Sequence, residues 1–139
     1  MSLNHRFAAF VLFALVTVEI GGWALLGFLT SEEGLTSFQE QFFRAGHGHA
    51  GVLLVMALVF FVLMDRTQYQ NRTQLWLGFT LLAGILLQSG GFFLHMLLGD
   101  EGAVSAGTWV TRSGAVLLAI ALISLGIGLL GATATKADI

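Results

Sequence analysis

The chain has 139 residues, of which 56% are hydrophobic and 10% charged, and its formal net charge is −2. A soluble domain carries about 25% charged residues, so this composition belongs to a chain whose solvent is lipid. The absence of cysteine excludes disulfides, thiolate metal sites and thiol catalysis, and no basic patch points to nucleic acid.

The apolar residues run in four blocks. Residues 7–29 hold one charge, Glu19, while residues 45–64, 75–98 and 113–134 hold none. Each is near the ~20 residues needed to cross a bilayer core. The pattern predicts helices over 6–29, 41–64, 75–98 and 108–132, joined by short loops into one transmembrane domain over 1–139. The first block is too long for a secretory leader and no small-residue cleavage site follows it, so it reads as a retained span. With no proline in the chain, no helix has a proline kink.

Charge sorts the loops. Arg6, Arg66, Arg72 and Lys136 occupy the N-terminus, the second loop and the tail. Glu32, Glu33, Glu40, Asp100 and Glu101 occupy the first and third loops. Lys and Arg mark cytoplasmic loops, which predicts both termini in the cytoplasm of a multi-pass protein. Arg44 and Arg112 oppose this mildly from the outer ends of helices 2 and 4, where such side chains snorkel to the interface.

The chain reads as duplicated. Glu19-Ile20-Gly21-Gly22-Trp23 aligns with Gln88-Ser89-Gly90-Gly91-Phe92 at an offset of 69. Glu32-Glu33-Gly34 aligns with Asp100-Glu101-Gly102, and Arg44-Ala45-Gly46 with Arg112-Ser113-Gly114, both at 68. The repeats are 6–64 and 75–132. Each is a helical hairpin of the same membrane orientation, as in parallel repeats. The fold expected is all-α: a compact integral membrane four-helix bundle. Gly84, Gln88, Gly91 and His95 share one face of helix 3, and Gly46 with Ala50 forms a small-xxx-small pair on helix 2, both suited to close helix contact.

Polar groups inside spans are costly and suggest function. Here they are Glu19 on helix 1, His47 and His49 on helix 2, Gln88 and His95 on helix 3, and Arg112 on helix 4. On the expected topology all lie in the outer half. Glu19 is ~15 Å and His49 ~12 Å from the outer helix ends at 1.5 Å per residue, while His95 is only ~5 Å in. Imidazole and carboxylate suit copper, iron, zinc or nickel. Alternatively, two histidines on facing helices, His49 and His95, would ligate haem b from both sides. His47 and His49 lie ~200° apart on a regular helix and cannot face one point, unless Gly46 and Gly48 distort the turn. The deeper His49 is the expected inward member. The expected site is therefore Glu19, His49 and His95, with His47 as a fourth member and Gln88 and Arg112 in support: an outward-facing metal or haem site serving redox chemistry or metal handling.

Each residue also has a plainer reading. His95 sits in the interface, His47 and His49 make interhelical hydrogen bonds, Gln88 links helices, and Arg112 snorkels or neutralises Glu19. The second reading of the whole is then a cofactor-free subunit of a larger membrane complex or a homo-oligomer. A third is a proton or ion pathway, although the inner halves of the helices hold few polar groups.

The segment Phe43-Arg44-Ala45-Gly46-His47-Gly48-His49-Ala50-Gly51-Val52-Leu53 resembles the start of helix 2 in small uncharacterised bacterial four-helix membrane proteins, and Gly90-Gly91-Phe92-Phe93-Leu94 extends the likeness. This resemblance implies a bacterial inner membrane location and no particular activity. Over about one turn, His47-Gly48-His49 is also similar to the His-x-His helix of haem–copper oxidase and nitric oxide reductase subunits. Those proteins have further helices and metal-binding histidines that this chain lacks.

Overall fold

A computed structural model describes residues 2–31 and 34–137, with side chains described through residue 132. Glu32, Glu33 and the Lys136 side chain, which entered the repeat match and the charge count, lie outside the described residues. The fold is an all-α four-helix bundle: α1 (Leu3–Thr30), α2 (Ser37–Met64), α3 (Asn71–Leu98) and α4 (Ala106–Ala137). All four helices are long and apolar enough to cross a membrane, and the protein is a multi-pass membrane protein.

Each helix begins before its apolar block, and at α1 and α2 the polar first turn is held by a side-chain cap. The Ser2 side chain accepts a hydrogen bond from the His5 N–H at the start of α1. At α2, Thr36 and Gln39 form a reciprocal capping box, which satisfies two backbone donors that the helix itself leaves orphaned. These turns extend past the span that hydropathy alone marks.

Ring contacts set the helix order and direction. Phe7 stacks on Phe61 with centroids 5.0 Å apart, and Phe28 meets Phe43 at 6.3 Å, so α1 and α2 are antiparallel along their whole length. On α2 and α3, Phe43 packs edge-on against Phe93 at 5.3 Å. Between α3 and α4 the contact is backbone to backbone: a Cβ on Gly84 or Gly114, or on Gly91 or Gly107, would fall within the facing helix. These two glycine pairs lie seven residues apart on each helix, which lets the helices approach at two successive levels. The expected face of α3 is thus a packing seam, with Gly84, Gly91 and His95 all buried against α4.

α2 and α3 lie at the centre. α1 packs on α2, α4 packs on α3, and among the described residues α1 makes no contact with α4. The buried core gathers toward the end holding the termini, around Phe7, Val11, Phe60, Phe61, Met64 and Leu81. Along the middle of the bundle, α1, α2 and α3 border an apolar cleft of about 620 Å³ whose lining includes Phe10, Ala50, Ser89 and Phe93.

The helix starts are spaced alike in the two halves: α1 and α3 begin at Leu3 and Asn71, 68 residues apart, and α2 and α4 at Ser37 and Ala106, 69 apart, each within one residue of the 69 and 68 of the corresponding sequence matches. Asn4 meets Gln74 and Phe7 meets Phe79, so α1 and α3 stand at matching levels at the end holding the termini. The packing inside the hairpins differs, however. Gly91 touches Thr111 and Gly107 backbone, whereas its counterpart Gly22 lies beneath an imidazole.

Candidate functional site

The polar side chains of the spans fall into three separate places, set by which helix faces which. The first is a groove of about 370 Å³ between α1 and α2, lined by Val18, Glu19, His47, Gly48, Gly51, Val52 and Val55. Here the missing side chains of Gly21 and Gly22 leave room for the His47 ring. A Cβ on Gly22 would lie 3.2 Å from both Cε1 and Nε2. Glu19 is exposed and His47 half-buried, and neither has a hydrogen-bond or ion-pair partner among the described residues. Trp23, one turn from Glu19, is 78% exposed, so this face of α1 is uncovered.

The second place is His49. Its ring points away from α1, toward α3, where it lies 4.7 Å from the Phe92 ring. Its Nδ1–H donates to the Ala45 carbonyl at 2.8 Å, which leaves Nε2 open on an exposed residue.

The third is His95, which is 7% exposed and is held between α2 and α4. Its Nδ1 lies 2.6 Å from Ser105 Oγ. Because that oxygen accepts the Gly107 N–H at 3.1 Å, its own hydrogen is free to be donated to the imidazole. Phe42 covers the ring at 4.3 Å. His95, Thr108, Thr111 and Arg112 line a recess of about 350 Å³ at this end.

Against the expected site, the differences are specific. Glu19 is joined by His47, not by His49, because Gly21–Gly22 make space on α1 for the former. The ~200° divergence of the two histidines holds, and Gly46 and Gly48 do not bring them together. Gly46 instead seats the Phe93 ring. His49 and His95 are separated by Phe92 and Phe42, whose rings fill the interval at 6.4 Å from each other, so these residues do not fit a haem held between the two. Arg112 stacks over Trp109 at 4.9 Å and does not neutralise Glu19, since α1 and α4 make no contact among the described residues. Gln88 meets α4 through its backbone, its carbonyl accepting from Thr111 Oγ1 at 3.4 Å. Arg44 is paired with Glu40 at 2.7 Å, which offsets its charge at that helix end. No group of three or more metal-ligating His, Asp or Glu side chains occurs among the described residues.

One polar constellation is not apparent from sequence. At the end holding the termini, buried Asn4 donates to Asp65 Oδ1 at 2.6 Å and to Gln74 Oε1 at 2.9 Å. Gln74 Nε2 donates to the Tyr69 carbonyl at 2.9 Å, and the Tyr69 hydroxyl donates to the Ser124 carbonyl of α4 at 2.7 Å. The chain of bonds reaches all four helices. The available signal was a run of polar residues one turn outside three apolar blocks, which looks like ordinary interface until the ends are brought together.

Comparison with protein-family models, curated proteins and solved structures finds no match to this chain.

Proposed function

We propose that this chain is a membrane-embedded subunit that acts through contact with another membrane-spanning chain at the α1–α2 face, in a bacterial inner membrane with both termini in the cytoplasm. The observation that supports the reading is Glu19. An ionisable side chain within a span ordinarily faces a bundle interior or a water-filled cavity and pairs there. Glu19 instead lies on the outside of α1, beside an imidazole that also lacks a partner. A partner chain covering this face would remove the carboxylate from lipid and supply the missing hydrogen bonds.

A second reading, a transition-metal centre, is favoured by the same groove. Glu19 and His47 are an oxygen and a nitrogen donor lining one groove, of types suited to zinc, iron or copper. One chain supplies two donors, whereas a closed structural zinc site has four. The apolar core around Phe7, Phe60 and Leu81 separates this groove from the Asn4–Asp65–Gln74 network, which does not favour an ion path.

The reading is tested by isolating the full chain in lipid nanodiscs excised from its native membrane. The expected result is a complex larger than one chain that Glu19→Gln dissociates. A single chain that is equally stable with either residue would refute it.

A further inference from the structure

Building on that reading of the α1–α2 face, we infer that the partner is a second copy of the same chain, and that the Glu19–His47 pairs of the two copies form one four-ligand site for a divalent transition metal. A twofold interface uses the same patch on both subunits, so the patch must be complementary to itself. This one is: it presents a carboxylate and an imidazole in a single groove. Rotation about an axis through the groove sets Glu19 of each copy near His47 of the other.

Shape agrees with chemistry. The α2 side of the groove is Gly48 and Gly51. Nothing lies within 4 Å of where a Gly48 side chain would begin, and a Gly51 Cβ would meet only Val18, at 3.7 Å. Two copies of α2 can therefore approach closely, as small residues allow between helices in lipid. Val52 and Val55, 71% and 53% exposed, provide the apolar rim.

The donor set completes itself in the same operation. Two carboxylates and two imidazoles make an N₂O₂ set of the number a tetrahedral zinc site uses, and sites in helix bundles are built from side chains on facing helices. The cation also offsets two carboxylates that would otherwise face lipid. His49 and His95 are outside this groove and take no part.

The test uses the full-length chain in detergent, with cobalt(II) alone as the probe because its visible absorption reports coordination. One cobalt per two chains is expected. Glu19→Gln and His47→Ala should each weaken binding by more than the roughly 10–100-fold that loss of an outer-shell partner costs, while His49→Ala should leave it unchanged. Because the chain has no cysteine, Val52→Cys is a clean reporter and should form a disulfide-linked homodimer on oxidation. Gly48→Leu, whose Cβ would have nothing within 4 Å in its own chain, should keep the helical fold and lose both dimer and cobalt. Cobalt bound at one per chain, no cobalt in a Val52→Cys dimer, or retention of cobalt in Glu19→Gln and His47→Ala would each overturn the inference. A chain that stays monomeric, while Val52→Cys crosslinks to a different protein in native membranes, overturns the second copy and leaves the subunit reading standing. Crosslinking to nothing overturns both.

Discussion

The His47 ring lies directly over Gly22, so that a Cβ at this glycine would stand 3.2 Å from both Cε1 and Nε2. This pairing of a ring with an absent side chain seats His47 against α1, at the edge of the α1–α2 groove. It also explains why His47, and not the deeper His49, stands beside Glu19.

A substitution that fills this space should move the ring. Gly22→Leu is expected to expel His47 and to destabilise the protein by about 1–3 kcal/mol, the usual cost of overpacking. Gly27, on the same helix with nothing within 4 Å, is the control. Gly27→Ala should be neutral or stabilising by up to about 1 kcal/mol, from helix propensity alone. Unfolding titrations in mixed micelles would separate the two, and equal costs would place His47 elsewhere.

At the α3–α4 seam the approach is tighter, and backbone has no rotamer with which to retreat. Gly91→Val and Gly107→Val should therefore cost more than Gly22→Leu, beyond the ~1–3 kcal/mol of ordinary overpacking. Loss of the folded band for both, measured by thermal melts followed by circular dichroism, is the expected outcome. Tolerance of either would mean that α3 and α4 are further apart.

The spans were legible in the sequence because a bilayer core demands ~20 apolar residues and little else does. Their starts fell a few residues late because Ser2 and Thr36 cap turns that hydropathy does not register. Helical geometry also foretold that His47 and His49 would diverge. What could not be read was which neighbour each would meet, since that depends on the order of helices around the bundle. Arg112 cannot reach Glu19 because α1 and α4 flank opposite sides of the central pair. The Asn4 network was hidden for a related reason: Asn4, Asp65 and Gln74 lie in three distant segments, and only their shared end of the bundle makes them neighbours.

That network makes its own prediction. Asn4 donates two hydrogen bonds, and bonds between helices in membranes are worth about 0.6–2 kcal/mol each. Asn4→Ala should therefore destabilise by about 1–3 kcal/mol, as expected when a buried residue gives up two hydrogen bonds. Asn4→Asp should cost more, because it replaces the donor to Asp65 with a second carboxylate. Chemical denaturation of the two variants would rank them, and the reverse order would remove Asp65 as the partner.

Orientation is tested by reporter fusions at residues 68 and 103, which should report cytoplasm and exterior respectively. The expectation rests on the Lys/Arg bias of the loops. A reporter at 68 that proves external would invert the assignment, leaving the helix packing unaffected.

The last prediction separates His95 from the groove. His95 is buried with its Nδ1 on Ser105 Oγ and its ring under Phe42, so it ties the end of α3 to the start of α4. His95→Ala removes both the hydrogen bond and the ring packing, whereas Ser105→Ala removes only the hydroxyl. Ser105 also accepts the Gly107 N–H, so its loss weakens the first turn of α4 as a lost N-terminal cap would, by about 0.5–2 kcal/mol. If the two residues act as a pair, the double variant should be less destabilised than the sum of the single ones. The difference, read from a double-mutant cycle of unfolding free energies, should fall within the ~0.5–3 kcal/mol typical of residues in contact. Strict additivity would mean that the 2.6 Å contact contributes nothing. In the same preparations cobalt binding at the α1–α2 face should persist, because His95 touches neither α1 nor the groove. Loss of cobalt in a folded His95→Ala protein would instead return His95 to the metal site and displace the arrangement argued for Glu19 and His47.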